Sequence, residues 1–195
     1  MVISGTGRAG TTFLIQLLTH LGLDTGFDVN TLELFPIARA GLEMDIRAPN
    51  APYIIKNPHI CFLAEEVLAS SVRIEHAIIP VRQFEAAAAS RIHVQKLATG
   101  NVNGKDRVPG GLWITDKADE QVGVLRLQFT QLIEVLVRHD IPITFLAYPR
   151  LVRDPDYLYG KLKFLLGDIG LATFQEAFNG LVRPEWIHQF NGDDR

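Results

Sequence analysis

The sequence predicts an α/β protein, a doubly wound and mainly parallel sheet flanked by helices, folded as one domain over residues 1–195. Three observations carry that expectation. Short apolar runs alternate with longer segments of helical periodicity, the order that builds parallel strands joined by right-handed crossovers. The first run opens into a glycine-rich turn and then into a helix apolar nearly all round, as a helix packed on a parallel sheet should be. A chain of 195 residues, 47% hydrophobic and 21% charged, is long and apolar enough to bury a real core.

The elements follow in order. Val2–Ser4 reads as a short strand, Gly5–Gly10 as a loop, and Thr11–Leu23 as a helix with Leu14, Leu17, Leu18 and Leu21 at helical spacing. Between residues 24 and 52, Pro36 and Pro49 bound an expected helix over Ile37–Asp45. Tyr53–Ile55 reads as a strand stopped by Pro58, and His59–Ser70 as a helix. Arg73–Val81, "RIEHAIIPV", is a third strand, and Gln83–Ala98 an alanine-rich helix. The polar, glycine-rich stretch over residues 99–113 is long for a connection inside a domain, so it is expected to be a lid or a mobile segment. Asp116–His139 reads as a long amphipathic helix, Ile143–Ala147 as a strand and Asp156–Leu166 as a helix. The tail over residues 170–195 is expected to fray.

The bulk numbers exclude several classes. A net charge of -3 gives no global basic field for nucleic acid or an anionic membrane, so any anion site must be local. A single cysteine, Cys61, excludes an internal disulfide and a multi-cysteine metal site. The apolar run Phe13–Leu23 is too short to span a bilayer and follows a glycine loop rather than a basic segment. The expected location is the cytoplasm.

The loop Gly5-Thr6-Gly7-Arg8-Ala9-Gly10-Thr11-Thr12 has the glycine spacing of a P-loop, with backbone N–H groups and a helix N-terminus directed at an anion. A glycine-rich turn without a ligand is the plainer reading. The order of strand, glycines, Thr-Thr and apolar helix favours phosphate binding. Thr11 stands where a nucleotide-hydrolysing enzyme carries lysine, and the positive charge lies three residues earlier at Arg8. Neither "YIIKNP" nor "HAIIPVR" ends in a carboxylate that could hold Mg²⁺, so the site is expected to be cationic and metal-free.

The "RAGTT" of this loop resembles the "KSGTT" or "RSGTT" loop of PAPS-dependent sulfotransferases, which have a P-loop NTPase-like fold. That resemblance implies 3'-phosphoadenosine 5'-phosphosulfate (PAPS) as cosubstrate, 3',5'-ADP as product, and Gly7, Arg8, Ala9, Gly10, Thr11 and Thr12 around the 5'-phosphosulfate. The family also places an arginine at a strand end and a serine eight residues on, against the 3'-phosphate. Here "VRQFEAAAAS" supplies Arg82 and Ser90, just over two helical turns apart. A third match, "FLAYPRLVRDPDYLYGKLKFLLG", is similar to the family's strand ending in a tyrosine near the adenine, and puts Tyr148 there. The family's "RKG" loop is absent, with Lys105, Arg107 and Arg183 as candidate substitutes.

Sulfuryl transfer needs a cation for the bridging oxygen and a base for the acceptor proton. The resemblance assigns the cations to Arg8 and Lys56, the latter at the end of "IIKNPH". For the base, the resemblance implies either a carboxylate some way after the loop's basic residue, which counted from Arg8 gives Asp28 in a turn after the first helix, or a histidine just after the lysine, where the nearest is His59; Asp28 is favoured, and Glu33, Glu43 and Asp45 remain open. His76, His139 and His188 read as structural. The acceptor, a hydroxyl or amine of a small molecule or carbohydrate, is expected between residues 27–48 and 99–113, with Phe27, Phe35 and Trp113 as apolar walls. Two other classes stay open: a P-loop kinase using ATP, which the missing lysine and acid disfavour, and a nucleotide-binding module without catalysis.

Overall fold

A computed structural model describes residues 1–106 and 108–187; Arg107 and His188 lie outside the described residues. Four strands, β1 (Val2–Ile3), β2 (Ile55–Lys56), β3 (Ala77–Val81) and β4 (Ile143–Ala147), form one sheet in the order β2-β1-β3-β4. Every neighbouring pair is parallel. The helices are α1 (Thr11–His20), α2 (Ile60–Ala69), α3 (Phe84–Thr99), α4 (Gln121–Arg138), α5 (Pro155–Leu166) and α6 (Leu171–Leu181).

Strand periodicity sorts the core into two layers. Ile3, Ile54 and Ile78 point to the face covered by α1, α5 and α6, where they meet Leu14, Leu18, Leu162, Phe174 and Phe178. Val2, Ile55, Ala77 and Ile79 point to the other face, against Ile60, Ala64, Leu132 and Leu136 of α2 and α4. Burial on both faces explains why the central strands β1 and β3 are apolar throughout, whereas β2 ends in Lys56 and the edge strand β4 carries Thr144 and an exposed Phe145. α3 rests on α4 through Ala87, Ala88 and Leu125.

The strand order positions the site. The chain leaves β1 toward β2 on one side and leaves β3 toward β4 on the other, so a crevice opens beyond the carboxyl ends of β1 and β3. Pro80, which has no N–H to donate, costs the sheet no ladder bond. Ala77 N and Val81 O bond toward β4, so the alternation turns the Pro80 nitrogen toward β1, which has already ended at Ile3.

Several sequence expectations are corrected. No helix covers Ile37–Asp45. Phe35 and Ala40 form an isolated bridge, and Arg39, Gly41 and Leu42 all have positive φ. The carbonyls of Ala38 and Gly41 accept instead from Arg8 and Lys56, so tertiary cations overrule helix propensity. β2 begins at Ile55, which places Lys56 inside the strand, and β3 begins at Ala77 rather than Arg73. α4 starts at Gln121, five residues later than expected. The tail holds a further helix, α6, whose Phe174 and Phe178 are buried against the first layer. α5 starts at Pro155, one residue earlier than expected, with Asp154 Oδ1 accepting from Tyr157 N at 2.8 Å. Among the described residues no helix is long and apolar enough to cross a membrane.

Candidate functional site

The glycine-rich loop leaves β1 into the crevice. Gly7, Arg8 and Gly10 have φ of 67°, 56° and 88°. A Cβ on Gly10 would stand 2.9 Å from Leu151 Cδ1, and one on Gly7 would stand 2.6 Å from Arg91 Nη2. The positive φ favours glycine at both, and the side chains of Arg91 and Leu151 leave little room for a Cβ unless they shift. α1 starts directly after Gly10 with no side-chain cap and no acid in its first turn. Its first N–H groups lack intrahelical partners and are placed to receive an anion.

Cations surround this loop, Arg82 and Arg91 buried and Arg8 half-buried. Arg8 donates from Nε to Ser90 Oγ at 3.1 Å and from Nη1 to Ala38 O at 2.6 Å. Arg82, 4% exposed, donates from Nη1 to Arg8 O at 3.0 Å and lies 4.6 Å over the Tyr148 ring. Arg91 donates to Gly111 O at 2.9 Å and to Thr6 O at 2.6 Å, with its guanidinium 4.6 Å over the Trp113 ring. Burial and then Arg82 push the Arg8 pKa down to about 10, and burial and then Arg8 push Arg91 down to about 9. Guanidinium stays protonated in proteins. The depressed values therefore express charges held against desolvation and against one another, which an incoming anion would relieve.

Lys56, 3% exposed, closes the loop from the β2 side. Its Nζ donates to Thr12 Oγ1 at 2.9 Å, Gly41 O at 2.5 Å and Glu43 Oε1 at 2.7 Å. Burial holds the Lys56 pKa below its ordinary value despite Glu43, whose side chain remains 41% exposed.

These groups share one cavity of about 1020 Å³. It brings together Gly7, Arg8, Gly10, Thr11, Thr12, Lys56, His59, Arg82, Ser90 and Tyr148 from the sequence-based set, with Glu43, Trp113 and Arg183. His59 stands 4.9 Å from the Trp113 ring. Ala9 is fully buried behind the loop.

Other expected residues do not reach the cavity. Asp28 is exposed and spends its carboxylate on Asn30, at 2.8 Å from N and 2.9 Å from Nδ2, so it is a turn residue. Asp45 pairs with Arg47 at 3.1 Å. Phe27 packs on the core beside α1 rather than walling the cavity, and Glu33, Phe35 and Lys105 are not among its lining residues. His76 bonds Thr144 at 2.8 Å and stacks on Phe164, and His139 pairs with Glu65, both away from the site.

The main residue missed in the sequence is Arg91. Its only signal was its place directly after Ser90, about 100° further round α3, from where its guanidinium reaches the Thr6 carbonyl. Two residues at the end of the 99–113 stretch bond to neighbouring helices: Gln95 Oε1 accepts from Leu112 N at 3.2 Å and Gln121 Oε1 from Trp113 N at 2.7 Å.

Among the described residues no group of three histidine, cysteine or acidic side chains is arranged to hold a metal ion. What the fold and site define is an α/β chain with a cationic cavity at the turn between β1 and α1. No family model, curated protein or solved structure matches the chain.

Proposed function

We propose that this chain transfers a sulfuryl group from PAPS to a hydroxyl or amine of a small acceptor, through a P-loop NTPase-like sulfotransferase site. One observation carries the reading. The loop arginine, the strand-end arginine and the helix serine form a single cluster: Arg8 bonds Ser90 at 3.1 Å, and Arg82 bonds the Arg8 carbonyl at 3.0 Å. Residues separated by 82 and 74 positions thus converge on one loop.

The residues present fit a nucleotide that carries two separate anionic groups. Positive φ disfavours a side chain at Gly7 and Gly10, and beside them Arg82 and Arg91 are buried, Arg8 is half-buried, and the charge of Arg8 repels those of Arg82 and Arg91. The loop amides, Arg8 and Thr12 would hold the 5'-phosphosulfate, Arg82 and Ser90 the 3'-phosphate, and Tyr148 the adenine. Bound there, PAPS supplies a sulfuryl group already joined to a stable leaving phosphate.

The chain supplies position and charge. Arg8 and Lys56 place fixed positive charge where negative charge grows as the S–O bond lengthens. The acceptor oxygen forms the new S–O bond, and its proton must pass to a base within reach. Glu43 and His59 are the proton acceptors lining the cavity that remain from the sequence-based set. Glu43 is preferred because Lys56 fixes it at 2.7 Å and also grips Thr12 of the loop. Phe62, Leu97 and Ile114 are 44%, 60% and 52% exposed, and all three line this cavity. That apolar wall favours an apolar hydroxyl compound over a carbohydrate.

Calorimetric titration tests the reading, with 3',5'-ADP and with ATP, each with and without Mg²⁺. Metal-independent binding of 3',5'-ADP is expected. Binding of ATP only with Mg²⁺ would instead make the site that of a kinase. Glu43→Gln is expected to bind 3',5'-ADP normally and to lose turnover by about 10²–10⁴-fold; loss of activity in His59→Ala alone would move the base to His59.

A further inference from the structure

We propose that Arg91 fastens the strap Val108–Trp113 across the glycine-rich loop, and that an anion bound in the loop tightens the fastening. This rests on the anion-binding reading of the cavity but not on which phosphate or sulfate ester occupies it.

The geometry is that of a staple. One arm of the guanidinium, Nη2, holds Thr6 O of the loop at 2.6 Å, and the other, Nη1, holds Gly111 O of the strap at 2.9 Å. The strap turns on a Gly111 N to Val108 O bond of 3.0 Å, and its next residue but one, Trp113, lies against the guanidinium face. Both chains are cut to fit. A Cβ on Gly7 would meet Arg91 Nη2 at 2.6 Å, and one on Gly111 would meet Val108 Cγ2 at 2.3 Å. Gly110 brings the strap over Arg8 as well, since a Cβ there would stand 3.3 Å from Arg8 Nη1.

Without an anion the closed staple is costly. Arg91 is 3% exposed, its Nε has no hydrogen-bond acceptor among the described residues, and the charge of Arg8 stands near it. An anion between loop and strap would compensate the charges that closure buries. Anion binding and strap closure must then favour each other by the same factor. Arg91 is in this sense a positioning residue: it acts on the loop and the strap.

The test is amide hydrogen exchange of Gly111, Leu112 and Trp113 with and without saturating inorganic pyrophosphate, alongside calorimetry of pyrophosphate binding. In the unaltered protein pyrophosphate should slow these amides at least about tenfold more than those of α6, which report general stabilisation. Arg91→Gln should still bind pyrophosphate, about tenfold more weakly, and lose the preferential slowing. Arg91→Lys should recover part of the affinity without the slowing, because an ammonium lacks the guanidinium fork that spans both carbonyls. If circular dichroism shows Arg91→Gln unfolded, Gly111→Ala displaces the strap with Arg91 intact and should lose the slowing too. Slowing that persists in the folded variants, or binding without slowing in the unaltered protein, overturns the staple and leaves the anion site standing. No binding of pyrophosphate or 3',5'-ADP to the unaltered protein overturns both.

Discussion

Arg82 ties the shape of the loop to a positive charge on the cavity wall. It holds the Arg8 carbonyl, and so supports the left-handed turn at Arg8, while its guanidinium lies over Tyr148. Arg82→Ala removes charge-assisted bonds, each of about 1.5–3 kcal/mol. It should weaken 3',5'-ADP binding by about 10–100-fold in calorimetry. Lys56 and Glu43 make an unequal pair, buried on one side and 41% exposed on the other. Glu43→Ala strands a buried ammonium on Thr12 and Gly41, whereas loss of Lys56 leaves a carboxylate that water can reach. Glu43→Ala should therefore cost about 1–3 kcal/mol in denaturant melts. The pH dependence of Lys56 has a definite sign. Its folded pKa lies below its ordinary 10.5, so between those values the unfolded chain binds more protons and stability rises with pH. Melts of the unaltered protein against Lys56→Met should show the unaltered protein gaining ground as pH climbs from 7 toward that ordinary value.

At the scale of elements, α1 and α6 are the pair on which the loop rests. α1 begins where the loop ends, and the Phe178 ring meets Phe13 of α1 edge-on at 5.3 Å. Phe178→Ala should cost about 3–5 kcal/mol and, by loosening α1, should weaken anion binding as well as lower Tm. Both can be read in one thermal melt run with and without pyrophosphate. α6 could have been found in the sequence: Phe174 and Phe178 are four apart, and both are buried on one face. The expected helix at Ile37–Asp45 could not have been excluded in the same way. Its backbone bends so that Ala38 and Gly41 reach cations from β1's loop and from β2, partners 30 and 15 residues away.

The whole molecule carries net charge -3 yet gathers Arg8, Lys56, Arg82 and Arg91 around one cavity. Such a cluster raises the free energy of the native state, and a bound anion lowers it. Pyrophosphate or 3',5'-ADP should therefore raise Tm at constant ionic strength, by about 4 kcal/mol of stability at a thousand times Kd. Sodium chloride at matched ionic strength should not, because general screening acts weakly on buried charge. No specific rise with either anion would remove the case for an anion cavity.

The sequence by itself determined the parallel α/β class, the loop between β1 and α1, and the places of Arg82 and Ser90. These are local or periodic features: paired glycines at a strand end, apolar alternation, a spacing of eight residues along one helix. Tertiary structure decided which carboxylate faces the cavity. Asp28 and Glu43 are both acids in irregular chain, yet Asp28 is an exposed turn residue bonded to Asn30, whereas Glu43 lines the cavity and accepts from Lys56. It also decided that Arg91 and the strap belong to the site, since Thr6 and Gly111 lie 85 and 20 residues from Arg91. Contacts of that separation leave no period in a sequence; they exist only once the sheet has brought the ends of β1 and β3 side by side.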